Sequence, residues 1–255
     1  MEVSMARKIL CINPNTSLSM TEDIKLSAEG VRLPDTQITY VNPSEGPESI
    51  ETYLDEFLAA MGVLKIIAKE KENYDGFIIA CGDDPGLFAA REITDKPVVT
   101  IGQSPMLIAP LLGRKFTILG TWAGDKTRSE DKVAKYFLSD LMASIVPSGA
   151  TVLGSHCDHA GLVDSLEVLG KKAIEEDGAE VLITTCAGMA GVHQELTRRL
   201  GVPCLEGVSC AVKLCEILID LGLHTTRVGQ YTLLPETKNL KGFDEFRHLY
   251  WVKNK

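Results

Sequence analysis

Short, uniformly apolar runs alternate along the chain with longer stretches whose apolar positions recur every three to four residues. The runs are Lys8–Ile12, Gln37–Val41, Gly76–Cys81, Val98–Ile101, Phe116–Gly120, Thr151–Ser155, Val181–Cys186 and Pro203–Leu205. Most lack the alternation of a half-exposed strand, which predicts strands buried on both faces of a parallel sheet. The stretches between them read as helices. Ser17–Glu29 opens on a serine cap, and Pro47–Glu70 carries Ile50, Leu54, Phe57, Leu58, Met61, Leu64 and Ile67 on one stripe. Ser129–Ala143, Leu166–Glu176, Val192–Leu200 and Ala211–Leu221 follow the same rule. This alternation predicts an α/β fold with right-handed crossovers.

The pattern repeats. Lys8–Asn13 is echoed by Lys115–Gly120, and Asp75–Gly82 by Ala179–Gly188, each of the latter pair delivering a cysteine, Cys81 or Cys186. A short helix with Arg91-Glu92 or Arg198-Arg199 follows, then a Pro-led strand at Pro97 or Pro203. A turn of small residues, Gly102-Gln103-Ser104 or Gly207-Val208-Ser209, then opens another helix. Two matched units in one order predict two pseudo-symmetric lobes, each with a mainly parallel sheet flanked by helices, facing across a cleft.

Composition narrows the function. The 255 residues are 45% hydrophobic, enough for one large domain or two small lobes. A net charge of -9 argues against nucleic acid and membrane surfaces as partners. No apolar run reaches a membrane span; the longest candidate, Pro97–Leu112, is interrupted by Gly102, Gln103 and Ser104. The first residues, Met1 to Lys8, have no apolar signal core, which predicts a cytoplasmic protein.

Seven cysteines, at 11, 81, 157, 186, 204, 210 and 215, are an odd number with no CxxC or CxxH spacing, which argues against disulfides and structural zinc. Cys11, Cys204, Cys210 and Cys215 read as core. Cys81 and Cys186 stand apart, because each ends a strand of the repeat and begins a loop of small residues. Ligands of open α/β sheets bind outside the carboxyl ends of the strands. The amides of Gly82, Asp83, Ala187 and Gly188 fall at helix starts, where they can hold an oxyanion or lower a thiol pKa. Two opposed thiols can racemise a carbon beside a carbonyl, one removing a proton and the other returning one to the opposite face, with no cofactor.

Several segments together resemble hydantoin and allantoin racemases: Ile12-Asn13-Pro14-Asn15-Thr16-Ser17, Gly46–Glu51, Ala80-Cys81 with Asp84-Pro85-Gly86-Leu87, Ala90-Arg91-Glu92, Leu112–Phe116, Cys186-Ala187-Gly188-Met189, Ala211–Leu214 and Leu221–Leu223. The chain thus looks like a member of the aspartate/glutamate/hydantoin racemase superfamily over nearly its whole length. The resemblance implies cofactor-independent racemisation of a 5-substituted hydantoin or allantoin by two cysteines, matching Cys81 and Cys186, and a homo-oligomer. It also implies that the chain returns to its first lobe, giving 1–102 plus 206–255 as lobe one and 103–205 as lobe two. An aspartate/glutamate racemase, a maleate isomerase, and a ligand-binding or thiol redox protein are the competing readings.

One loop departs from the family pattern. The usual bulky aromatic after the first cysteine is absent, and the chain reads Cys81-Gly82-Asp83-Asp84-Pro85-Gly86. This predicts spare volume beside Cys81, and an Asp83 that either meets a hydrogen-bond-donating substrate or lies in a solvated loop. Asn13 is expected to contact substrate, with Thr121 as its counterpart in the second lobe. His156-Cys157-Asp158-His159 is too thin a ligand set for a metal and reads as a polar loop. His193 reads as a surface or satisfied histidine. Asp125-Lys126-Thr127-Arg128 reads as a solvated helix start, and Trp122 lines the cleft or plugs the lobe interface.

Overall fold

A computed structural model describes residues 6–121, 124–149, 159–189, 191–232, 241–243 and 246. Among these residues, eight strands form two four-stranded sheets. In the first, β1 (Arg7–Ile12), β2 (Thr36–Val41), β3 (Gly76–Ile79) and β4 (Val98–Thr100) run in the order β2-β1-β3-β4. In the second, β5 (Phe116–Gly120), β6 (Met142–Pro147), β7 (Val181–Thr184) and β8 (Cys204–Glu206) run in the order β6-β5-β7-β8. Every pairing is parallel, and the two central pairings match in kind: Ile12 faces Ile79 in one, Leu119 faces Thr184 in the other.

The missing alternation has the cause inferred from the sequence. Successive side chains of a strand point to opposite faces. Ile9, Cys11, Ile78 and Val99 pack under α1 (Leu18–Glu29) and a late helix, Gly207–Asp220. Leu10, Ile12, Phe77, Ile79 and Val98 face α2 (Tyr53–Glu70) and α3 (Leu87–Ile93). In the second sheet, Phe116, Ile118, Val181 and Ile183 pack with Met106 of α4 (Gln103–Ile108) and Val133 of α5 (Asp125–Lys135). Leu119 and Leu182 face α6 (His159–Asp177) and α7 (His193–Leu200). The helix Gly207–Asp220 is α8; it follows β8 yet packs on the first sheet.

Two helices differ from their sequence reading. In α2 the chain enters the helix at Thr52, whose hydroxyl and the Asp55 carboxylate form a capping box. The sheet takes Ile67 of the expected stripe together with Ala59, Val63 and Ala68, while Leu54, Phe57 and Leu58 stay exposed. The helix expected over Ser129–Ala143 ends at Lys135, because Phe137 turns left-handed at φ 60°, and Met142–Pro147 is instead the edge strand β6. The strand expected at Thr151–Ser155 lies outside the described residues. Among the described residues no helix is long and apolar enough to cross a membrane.

The crossing from β8 to α8 hangs on Glu206. Its buried carboxylate accepts from the amides of Val208 and Ser209 and from the hydroxyls of Ser209 and Ser27. The Ser27 bond ties α1 to the start of α8. Glu206→Ala strands these donors, and the expected cost is about 2 kcal/mol of folding stability, read as a lower urea midpoint at constant m. An unchanged midpoint would contradict this role.

Candidate active site

Equivalent strands deliver a thiol to each side of one cavity. Cys81 follows the end of β3, and Cys186 stands at the matching distance past β7. Both are half-buried, neither is half of a disulfide, and both line a cavity of about 580 Å³, its open mouth included. A turn follows each: the Asp84 amide donates to the Cys81 carbonyl and the Met189 amide to that of Cys186. Gly82, Asp83, Thr121, Ala187 and Gly188 line the same cavity.

Asn13 stands behind the wall instead of in it. It is buried, and its side-chain amide donates to Asn15 Oδ1, the Ser17 carbonyl and Thr21 Oγ1. Those bonds fix the loop after β1, and the loop offers Asn15 to the cavity. The loop is the one the sequence points to, but Asn15 and not Asn13 is its lining residue. Met20, Ile50, Glu51, Thr185 and Arg128, which no sequence motif marks as site residues, also line the cavity.

Arg128 is the largest correction. A solvated helix start was expected, yet Arg128 is buried and paired with the Asp83 carboxylate. It begins a ladder on α5. Arg128, Lys132 and Tyr136 are spaced one helical turn apart and share a face. They engage three consecutive residues of the Cys81 loop: Arg128 holds Asp83, Lys132 Nζ donates to the Gly82 carbonyl, and Tyr136 donates to Asp84 Oδ2. The Arg128 guanidinium also lies 5.6 Å from the Tyr53 ring centre, a cation–π contact. Asp83 is therefore not a solvated loop acid, since one of its oxygens is claimed by a cation from the second sheet's helix.

The space predicted beside Cys81 is filled. A Cβ on Gly82 would lie 2.6 Å from the Thr185 carbonyl oxygen and 2.9 Å from its hydroxyl. The residue before Cys186 thus packs directly on the residue after Cys81. Gly102 closes the other side, where a Cβ would run into the Gly82 carbonyl, and its amide donates to Asp84 Oδ1.

This packing sets the electrostatics. Burial pushes the Cys81 thiol well above its ordinary pKa; Asp84 and the neighbouring Cys186 push the same way, and Lys132 and Arg128 pull back. Burial also raises the Asp84 carboxyl, opposed by Lys132, Tyr136, Thr100 and the Gly102 amide. Asp84 adopts a left-handed backbone at φ 55°, a conformation Asp and Asn tolerate better than most residues. The other described thiols, Cys11, Cys204, Cys210 and Cys215, are buried and do not line the cavity. Desolvation raises all four, the first three to about 12.

His193, read as a surface or a satisfied histidine, is half-buried, and among the described residues its Nδ1 has no hydrogen-bond partner, so the second of those readings fails. Trp122, His156, Cys157 and Asp158 lie outside the described residues, as does the side chain of His159. Among the described residues no group of three His, Cys, Asp or Glu side chains could hold a metal.

Comparison with known proteins agrees in sequence and in structure. A family model for Asp/Glu/Hydantoin racemase matches residues 9–215. A hydantoin racemase of Pseudomonas sp. (strain NS671) is 42% identical over 236 residues, which is 92% of this chain and 94% of the relative. Allantoin racemase from Klebsiella pneumoniae superposes with a TM-score of 0.89 at 38% identity, covering 95% of this chain and 98% of that one. Allantoin racemase from Pseudomonas fluorescens gives 0.87 at 32% identity, covering 91% and 99%.

Proposed function

This chain belongs to the Asp/Glu/hydantoin racemase family, and from that premise we propose that it racemises a hydantoin-like ring, a 5-substituted hydantoin or allantoin, by proton transfer between Cys81 and Cys186. The observation that carries this reading is the pair of thiols at equivalent strand ends lining one cavity. One sulfur, as thiolate, removes the proton from the ring carbon beside the carbonyl. The other, as thiol, returns a proton to the opposite face. The enolate oxygen that forms between the two steps meets the peptide N–H groups of the turns Gly82-Asp83 and Ala187-Gly188. Cys186 adds to the cost of ionising Cys81. No step draws on a cofactor or metal.

Within this reading the lobes run 1–102 plus 206–255 and 103–205, and the enzyme is a cytoplasmic homo-oligomer. The test is a panel of single-enantiomer 5-substituted hydantoins, allantoin, aspartate, glutamate and maleate, followed by loss of optical rotation or, for maleate, by isomer analysis. Racemisation of a hydantoin or allantoin is expected. Activity confined to the acyclic acids would replace the reading with an amino-acid racemase or a maleate isomerase.

The buried charge at Asp84 makes a separate prediction. Asp84→Asn keeps an acceptor for the Gly102 amide and suits the left-handed backbone, but deletes a negative charge that raises the Cys81 pKa. A lower thiol pKa moves the ascending limb of kcat/KM against pH to lower pH for the enantiomer on which Cys81 acts as base. The expected shift is about one pH unit. A limb that stays in place or moves to higher pH contradicts this electrostatic account.

A further inference from the structure

We propose that Arg128 is the specificity anchor of the substrate pocket, binding a carbonyl or carboxylate oxygen at the end of the C5 substituent; this rests on the racemase reading above. The guanidinium side chain is only 8% exposed, and it lines the cavity between the two thiols. Its Nη2 is committed to Asp83, while among the described residues Nε and Nη1 are buried without a hydrogen-bond partner. A buried donor left unpaired is costly, and a charged one more so, so such groups call for an acceptor. Arg128 borders the cavity, where a ligand can supply one.

The geometry of racemisation says which part of the ligand this is. The hydrogen exchanges between the two sulfurs, so the ring and its C5 substituent lie across the line that joins them. The amides of the turns after each thiol are taken by ring oxygens. Besides Ala80, Gly120, Thr121 and Thr185 next to the strand ends, the wall is Asn15, Met20, Ile50, Glu51 and Arg128. A substituent directed there passes apolar Met20 and Ile50 on its way to a polar end. Glu51 would repel a carboxylate, whereas Arg128 presents donors alone and asks for an acceptor oxygen. Asp83, with Lys132 also 3.8 Å away, keeps the guanidinium in place and partly offsets its charge. The anchor therefore accepts a neutral amide oxygen as well as a carboxylate, and it discriminates against a hydrocarbon of the same shape.

The experiment compares three near-isosteric substrates: 5-carboxymethyl-, 5-carbamoylmethyl- and 5-isobutylhydantoin. Each kcat/KM is divided by the uncatalysed exchange rate in the same buffer, which removes differences in C–H acidity. The wild-type enzyme is expected to favour both acyl substrates over isobutyl by tenfold to a hundredfold, on the order of one hydrogen bond to a charged group. Arg128→Met is expected to collapse that ratio to near one, whatever loss is common to all three. The double variant Arg128→Met/Asp83→Asn removes the carboxylate the single change strands, and the same collapse is expected there. A wild-type ratio near one, or a ratio that survives both variants, overturns the anchor. Wild-type turnover of the isobutyl compound reports on the racemase reading by itself, and its absence together with that of the acyl pair overturns both.

Discussion

Cys81→Ser and Cys186→Ser are each expected to lower racemisation by roughly a thousandfold, within the range that a positioned acid or base contributes. An ordinary thiol ionises near pH 8.5. The Cys81 thiol is already pushed above that value by burial, so little margin is left. A serine hydroxyl in the same place is a far weaker acid and cannot supply the anion. Each variant keeps one sulfur, and so one face of the carbon remains served. Solvent exchange without inversion on one enantiomer should therefore outlast racemisation, and on opposite enantiomers in the two variants. Thiol alkylation should remove wild-type activity and chelators should leave it intact. Full activity in either serine variant would contradict the assignment.

Gly82→Ala should cost about a hundredfold in kcat/KM, although it adds a single methyl. The new Cβ would meet the Thr185 carbonyl at 2.6 Å, and a backbone oxygen cannot rotate away as a flexible side chain can. Relief requires the Cys81 turn to back away from the strand end that carries Cys186. Lys132 on the Gly82 carbonyl and Gly102 against its other side oppose that movement. A shift near 1 Å between catalytic groups is enough for a loss of this size. Unchanged kcat/KM in this variant would mean that the contact between the two turns is slack.

What the sequence conveyed follows from where each signal is stored. Uniform burial in parallel strands is a local property, so β1, β3, β5 and β7 could be read directly from runs such as Ile9–Ile12 and Phe77–Ile79. The two thiols were legible because the repeat writes the same strand end twice. α2 misled for the opposite reason: its large apolar residues Leu54, Phe57 and Leu58 are outside, and the sheet selects the small Ala59 and Val63. The end of α5 turns on one left-handed residue, Phe137, which no composition rule marks. Arg128 escaped notice because Asp-Lys-Thr-Arg is polar and its partner Asp83 stands 45 residues earlier. The supposed space at Gly82 failed likewise, because Thr185 fills it from the other sheet. In the misses at Arg128 and Gly82, the deciding contact crosses between the two repeats and has no trace in local pattern.

The central claim is proton transfer by two separate groups on opposite faces of one carbon. It is tested most directly by supplying the wild-type enzyme with a single enantiomer of 5-isobutylhydantoin in D2O and analysing both enantiomers at low conversion, with the spontaneous exchange subtracted. The account predicts that the product enantiomer carries solvent deuterium at C5 while the remaining substrate keeps its protium. Deuterium appearing in the substrate as fast as in the product, or protium carried over into the product, would indicate a single base and contradict it.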